Sequence, residues 1–277
     1  MTDPHLWPVL DETVAGLRVY SGGAAGPVLL LVHGLGATAE VWTGLAAFAE
    51  QRWPGRWIAP DLPGHGGSAR SESEPYTFAG MAAALAGVVT DTAPDQPVTV
   101  LGHSLGGVLG LQLAATRPAP VPVTAVLGVG IKVAWTEPEL ERAAALADRP
   151  AASFPTRAEA IDRHLRISGL AGLLEPDDPR LASGVVEADG SWRLALDQRT
   201  FAIGAPPMAG LLAAAACPVT LAAGEHDHMV TMDQMRALVP DPVRLDGLGH
   251  NAHVEDPEAI WALIAAHAGE AGSAVRS

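Results

Sequence analysis

Val98-Thr99-Val100-Leu101-Gly102-His103-Ser104-Leu105-Gly106-Gly107 decides how this chain is read. Its first four residues form an apolar run suited to a strand buried in a sheet, and Leu105 to Arg117 carries a helical pattern that Pro118 stops. A single serine stands between them, in a G-x-S-x-G string. So tight a passage from strand to helix forces that serine into a strained backbone conformation. Side chains on either flank would collide, which accounts for Gly102 and Gly106. The strain holds the Ser104 hydroxyl out at the carboxyl end of the sheet, where α/β folds bind ligands. Capping the helix is the plainer use for such a serine, and the rest of the chain has to decide between the two.

Working outward, further apolar runs alternate with helical patterns. Gly16 to Tyr20, Pro27 to Val32, Arg56 to Ala59, Val123 to Val129, Pro218 to Ala223 and Val243 to Leu245 read as strands. Thr38 to Arg52 reads as a helix, as does a segment capped by Thr77 and running to about Thr90. A last helix begins with Asp256 as cap and Pro257 in first position, and reaches about Ala268. Continuous apolar strands alternating with helices imply a doubly wound, mostly parallel sheet covered on both faces, an α/β fold. From Lys132 to Leu212 the rhythm breaks into short helical patterns and Pro-rich turns holding eight of the sixteen arginines. That stretch is too long for a plain loop. The expected organisation is a core domain of residues 1–131 and 213–277 with a helical cap, 132–212, inserted after the strand run Val123 to Val129.

Composition narrows the function classes. The 277 residues are 48% hydrophobic and 17% charged, enough to bury a sizeable core. Mean hydropathy is +0.20, yet runs such as Val28 to Val32 end far short of a bilayer span. Met1-Thr2-Asp3-Pro4 lacks the basic and apolar regions of a secretory signal. Acids outnumber bases by 31 to 17, a formal charge of −14 that repels nucleic acid and anionic lipid, so neither is expected as a partner. The single cysteine, Cys217, excludes an internal disulfide; it reads as a buried strand-end thiol and fits a reducing cytoplasm.

Four motifs together resemble the α/β-hydrolase family, in its capped, small-molecule esterase form. They are His33-Gly34-Leu35-Gly36 after a strand, Asp61 to Ser68 (DLPGHGGS), Gly102 to Gly107, and Gly224-Glu225-His226-Asp227 followed by Gly247-Leu248-Gly249-His250. The resemblance covers nearly the whole chain, and the cap matches least specifically. It implies a Ser-His-Asp triad without a cofactor. A serine hydroxyl is a weak nucleophile near neutral pH; it needs an imidazole to take its proton and an acid to orient that imidazole. By motif position the nucleophile is Ser104, the acid Asp227 rather than Glu225, and the base His250 rather than His253. Many relatives carry a proline soon after the acid, where this chain has Val230-Thr231. The same resemblance assigns the oxyanion hole to the backbone amides of Leu35 and Leu105. It gives His33 and Asp61 structural roles in the loops beside it.

His226-Asp227-His228 has a spacing that suits a metal, but no third ligand pattern accompanies it, so no metal is expected. His103, Trp135 and Met208 are candidate substrate contacts, with Leu170, Leu173 and Leu174 as further apolar lining or as the cap's own small core. The expected reaction is hydrolysis of a small or medium carboxylic ester, with lactone and thioester as variants. The same triad also serves carbon–carbon bond hydrolysis, cofactor-free lyases and acyl transfer, and the non-enzyme alternative for this chain is a ligand receptor whose triad survives as a relic.

Overall fold

In the computed structural model, which describes residues 10–71 and 75–274, the apolar runs become one eight-stranded sheet. The reading of Met1 to Pro4 lies outside the described residues. In chain order the elements are β1 (Leu10–Val14), β2 (Leu17–Gly23), β3 (Val28–Val32), α1 (Thr43–Arg52), β4 (Arg56–Pro60), α2 (Phe78–Thr92), β5 (Val98–His103), α3 (Leu105–Ala115) and β6 (Val123–Val129). After β6 come α4 (Glu137–Ala147), β7 (Ser153–Phe154), α5 (Arg157–Ile167), β8 (Val185–Ala188), β9 (Ser191–Leu194) and α6 (Met208–Ala214). The chain returns to the sheet with β10 (Val219–Gly224), α7 (Met232–Arg236), β11 (Val243–Leu245), α8 (Ala252–Glu255) and α9 (Pro257–Ala274).

The strand order is β1-β2-β4-β3-β5-β6-β10-β11. β2 runs antiparallel to both β1 and β4, and the remaining neighbours are parallel. From β3 the chain turns first to β4 on one side and then to β5 on the other, which opens a crevice at the carboxyl ends of β3 and β5. Alternation along β3 explains the two apolar layers. Val28, Leu30 and Val32 join a cluster with residues of α2, α3 and α6. Leu29 and Leu31 face the opposite way, toward residues of α1 and α9.

Local signals placed the helix starts as expected. Thr77 accepts from the Gly80 amide at 3.0 Å at the head of α2, and Asp256 accepts from the Ala259 amide at 3.0 Å beside Pro257. Two features went beyond the sequence reading. Thr38 to Arg52 divides into a 3₁₀ turn, Ala39–Trp42, and α1, and the last helix continues to Ala274. The insertion after β6 contains helices α4 and α5, and also a three-stranded antiparallel sheet in the order β7-β9-β8.

The segment between β6 and β10 is tied to the rest of the chain by buried and half-buried polar contacts. Glu40 accepts from the Tyr20 hydroxyl at 3.0 Å, and from the Ser183 amide and hydroxyl at 3.0 and 2.7 Å. Asp197 accepts from the Tyr76 hydroxyl at 2.9 Å, while Asn251 donates to the Gly169 carbonyl at 3.0 Å. Among the described residues no helix is long and apolar enough to cross a membrane.

Candidate active site

Ser104 occupies the single residue between β5 and α3, with φ 49° and ψ −116°. Such a backbone is strained for a residue with a Cβ and costs about 1–3 kcal/mol. It is held because the Ser104 amide donates to the Val129 carbonyl at 2.8 Å, extending the pairing of β5 with β6, while its own carbonyl accepts from the Gly107 amide at 3.0 Å. The two flanking glycines are sterically required. A Cβ at Gly102 would lie 2.3 Å from the Gly106 carbonyl, and one at Gly106 would lie 2.0 Å from the Val32 carbonyl oxygen. The serine hydroxyl makes no hydrogen bond among the described residues and is half-exposed.

Beside it runs the loop after β3. The Leu62 amide donates to His33 Nε2 at 2.9 Å, so the His33 proton sits on Nδ1, 2.8 Å from the Gly34 carbonyl oxygen. Likewise the Gly36 amide donates to His65 Nε2 at 3.1 Å, and Nδ1 faces the Pro63 carbonyl at 3.1 Å. Burial lowers both rings, His33 to about 4 and His65 to about 3, so both stay neutral and keep these tautomers near neutral pH. Asp61 accepts from the Ala39 amide at 2.8 Å and from the Gly67 amide at 2.9 Å, joining the two loops. The structural roles expected for His33 and Asp61 match these contacts. The bracing by His65 was missed, although His65 stands inside a motif the sequence reading quoted. With the loop fixed, the amides of Leu35 and Leu105 donate to no acceptor among the described residues.

The second half of the site forms where β10 and β11 end. Asp227 lies three residues past β10, its side chain fully buried. One carboxylate oxygen accepts from the Met229 amide at 2.7 Å, and the two oxygens lie 3.1 and 3.0 Å from His250 Nδ1. In a neutral His250 that arrangement places the proton on Nδ1 and leaves Nε2 as the acceptor nitrogen. Glu225, the rival acid, is exposed and engaged with the Gly247 amide and Arg244. His253, the rival base, is buried, and neither of its ring nitrogens has a partner. His226 and His228 are exposed, and among the described residues no group of three His, Cys, Asp or Glu is arranged to hold a metal.

The three candidate substrate contacts occupy different settings. His103 is 3% exposed and its Nε2 bonds the His250 carbonyl oxygen at 3.0 Å. Trp135 is half-buried; its indole N–H donates to the Lys132 carbonyl and its face lies 4.7 Å from the Lys132 ammonium. Met208 is buried at the start of α6, in the apolar layer that also holds Leu105 and Ile131. Leu170 and Leu174 are buried in the opposite layer, and Leu173 is exposed. Cys217 is half-buried, and burial pushes its thiol upward.

Comparison with known proteins places these features. A profile of the Alpha/beta hydrolase family matches residues 29–263. Protein phosphatase methylesterase 1 of Mus musculus is 39% identical over 105 residues, which is 37% of this chain and 27% of that protein. The Magnesium-chelatase 30 kDa subunit of Rhodobacter capsulatus is 38% identical over 117 residues, 42% of this chain and 37% of that protein. The chain thus spans about a third of the length of these curated relatives. Among solved structures, an esterase from Mycobacterium tuberculosis superposes with a TM-score of 0.74 at 24% identity, covering 94% of this chain and 90% of that one. The thioesterase domain from the curacin biosynthetic pathway gives 0.73 at 22% identity, covering 90% and 95%. Likenesses at such identity establish the fold.

Proposed function

The chain belongs to the Alpha/beta hydrolase family, and from that premise we propose that it is a serine hydrolase acting on a small or medium carboxylic ester, lactone or thioester. In this reading Ser104 attacks the carbonyl while His250 Nε2 takes its proton. His250 then gives that proton to the leaving alkoxide or thiolate and later activates the water that releases the acyl group. Asp227 fixes the ring through Nδ1 and stabilises the imidazolium. The Leu35 and Leu105 amides receive the oxyanion of both tetrahedral intermediates, each such donor being worth about 3 kcal/mol of barrier. Water suffices as co-reactant and no cofactor is invoked. Trp135 and Met208 serve as walls for the apolar part of the substrate, and the segment 132–212 as its roof.

The observations that carry the reading are the strained backbone of a half-exposed Ser104 at the β5–α3 turn and a His250–Asp227 contact of 3.0 Å. Ester chemistry is favoured by the names of the methylesterase and the esterase among the similar proteins. The lone thiol Cys217 agrees with a reducing compartment such as the cytoplasm. A panel of p-nitrophenyl esters of graded acyl length tests the proposal against Ser104→Ala. Turnover by the native chain should fall by at least about 10⁴-fold in the variant. Equal turnover by both proteins would refute it.

A further inference from the structure

Behind the proposed base, four aromatic rings pack one against the next. The His103 ring centroid lies 4.7 Å from that of His250 and 4.4 Å from that of His253, and His253 lies 4.4 Å from Trp42. His103 ends β5, one residue before Ser104. Its one hydrogen bond is to the main-chain oxygen of His250, at 3.0 Å, and that oxygen receives no other donor among the described residues. A carbonyl partner requires the proton on His103 Nε2, which makes the ring a neutral donor. Burial holds it neutral, its ionisation lying well below the ordinary histidine range.

The surroundings are costly for a residue that only fills space. His103 Nδ1, both nitrogens of His253 and Trp42 Nε1 are buried without a partner. A layer selected for stability alone would be apolar here, because each unpaired polar group keeps its desolvation penalty. What His103 supplies and an apolar residue does not is the N–H to the His250 main chain. Its other edge faces the loop after β3, where a Cβ on Gly34 would come within 2.8 Å of Nδ1. One ring therefore abuts the nucleophile's strand, the base's backbone and the loop that carries Leu35.

We propose that His103 is a positioning residue for the base: its Nε2–H anchors the His250 main chain and so holds the imidazole of His250 in place. This rests on the serine-hydrolase reading above. A shift of about 1 Å in a reacting group costs on the order of 100-fold in rate. Loss of the anchor should therefore appear in kcat, while KM, set by groups that touch substrate, stays within about twofold.

Two variants separate donor from ring. His103→Phe keeps a ring of similar size and removes the N–H; His103→Gln keeps an amide N–H near the Nε2 position and removes the ring. With folding checked by circular dichroism, His103→Phe should lower kcat by about 30-fold and slow fluorophosphonate capture of Ser104 in proportion, on the scale set by misplacement. His103→Gln should retain at least about a third of native kcat. The proposal is overturned if folded His103→Phe keeps kcat within about threefold, if the loss falls in KM, or if folded His103→Gln is as impaired as the donor-free variant. Should His103→Phe fail to fold, the kcat of His103→Gln alone decides by the same threshold. A native chain that neither turns over esters nor captures the probe sinks the hydrolase reading and this role with it; an active native chain with an unaffected His103→Phe sinks only the role.

Discussion

At the scale of single residues, the proposed site depends on one backbone conformation and one hydrogen-bond geometry. Ser104 at φ 49° is tolerable only because the glycines at 102 and 106 leave room for the crossing of β5, β3 and α3. This part was legible in advance, since the constraint is local: strand, serine and helix are contiguous, and steric necessity dictates the glycines. Asp227 and His250 were picked by motif position, since each follows a strand end that the hydrophobic pattern marks, and the structure brings the two side chains to 3.0 Å. His65 and His103 were assigned no bracing role because their partners are far along the chain, 29 residues away for Gly36 and 147 for His250. No local pattern encodes such a contact. The acid invites a direct check. Asp227→Asn keeps the shape but presents an amide to Nδ1 and favours the wrong tautomer, so kcat should fall by about 10⁴-fold with KM little changed. Steady-state kinetics on the best ester measures it, and a loss under tenfold would remove Asp227 from its proposed role.

At the scale of elements, every strand of the large sheet except the edge strand β1 was readable, and the short strands between β6 and β10 were not. Continuous apolar runs announce a strand covered on both faces, as in β3 and β5. β7, β8 and β9 are short and half-exposed, so they lack that signature. A signal was nevertheless present. Asp189 and Gly190, at φ 54° and 72°, form the two-residue turn that joins β8 to β9, and Asp-Gly is the preferred pair for such a hairpin. β1 escaped for the same reason: it lies at the sheet edge and pairs with β2 across Ala15-Gly16, both at positive φ. Glu40 makes one of the contacts to the segment between β6 and β10, accepting from the Ser183 amide and hydroxyl. Glu40→Ala removes the acceptor of the half-buried Ser183 amide and hydroxyl and should destabilise the protein by about 1–3 kcal/mol. Urea unfolding measures the loss, and hydrogen exchange should rise in residues 179–194. Unchanged stability would show that the insertion is held elsewhere.

At the scale of the whole molecule, an acidic surface encloses an interior rich in neutral histidine. Burial lowers His33 and His164 to about 4, His65 and His253 to about 3, and His103 well below its ordinary value. In the unfolded chain each would titrate near 6.5. Below that pH the unfolded state binds protons that the folded state refuses, so stability is present above about pH 6.5 and is lost as pH falls toward 4 and below. Each such group contributes about 1.4 kcal/mol per pH unit in that window. Asp61 acts in the opposite sense, since burial raises its carboxyl, but it is one group against five. The urea midpoint should thus be flat between about pH 7.5 and 8.5 and fall steeply from pH 6.5 to 4.5, as titration of these histidines requires. A midpoint constant across that lower window would contradict the neutral interior.

The central claim is that Ser104 is an activated nucleophile, and covalent capture tests it most directly. Native protein is treated with a fluorophosphonate, digested, and the modified peptide mapped by mass spectrometry. The account predicts a single adduct on Ser104 that heat denaturation or His250→Ala abolishes. No adduct, or an adduct only on another residue, would contradict it.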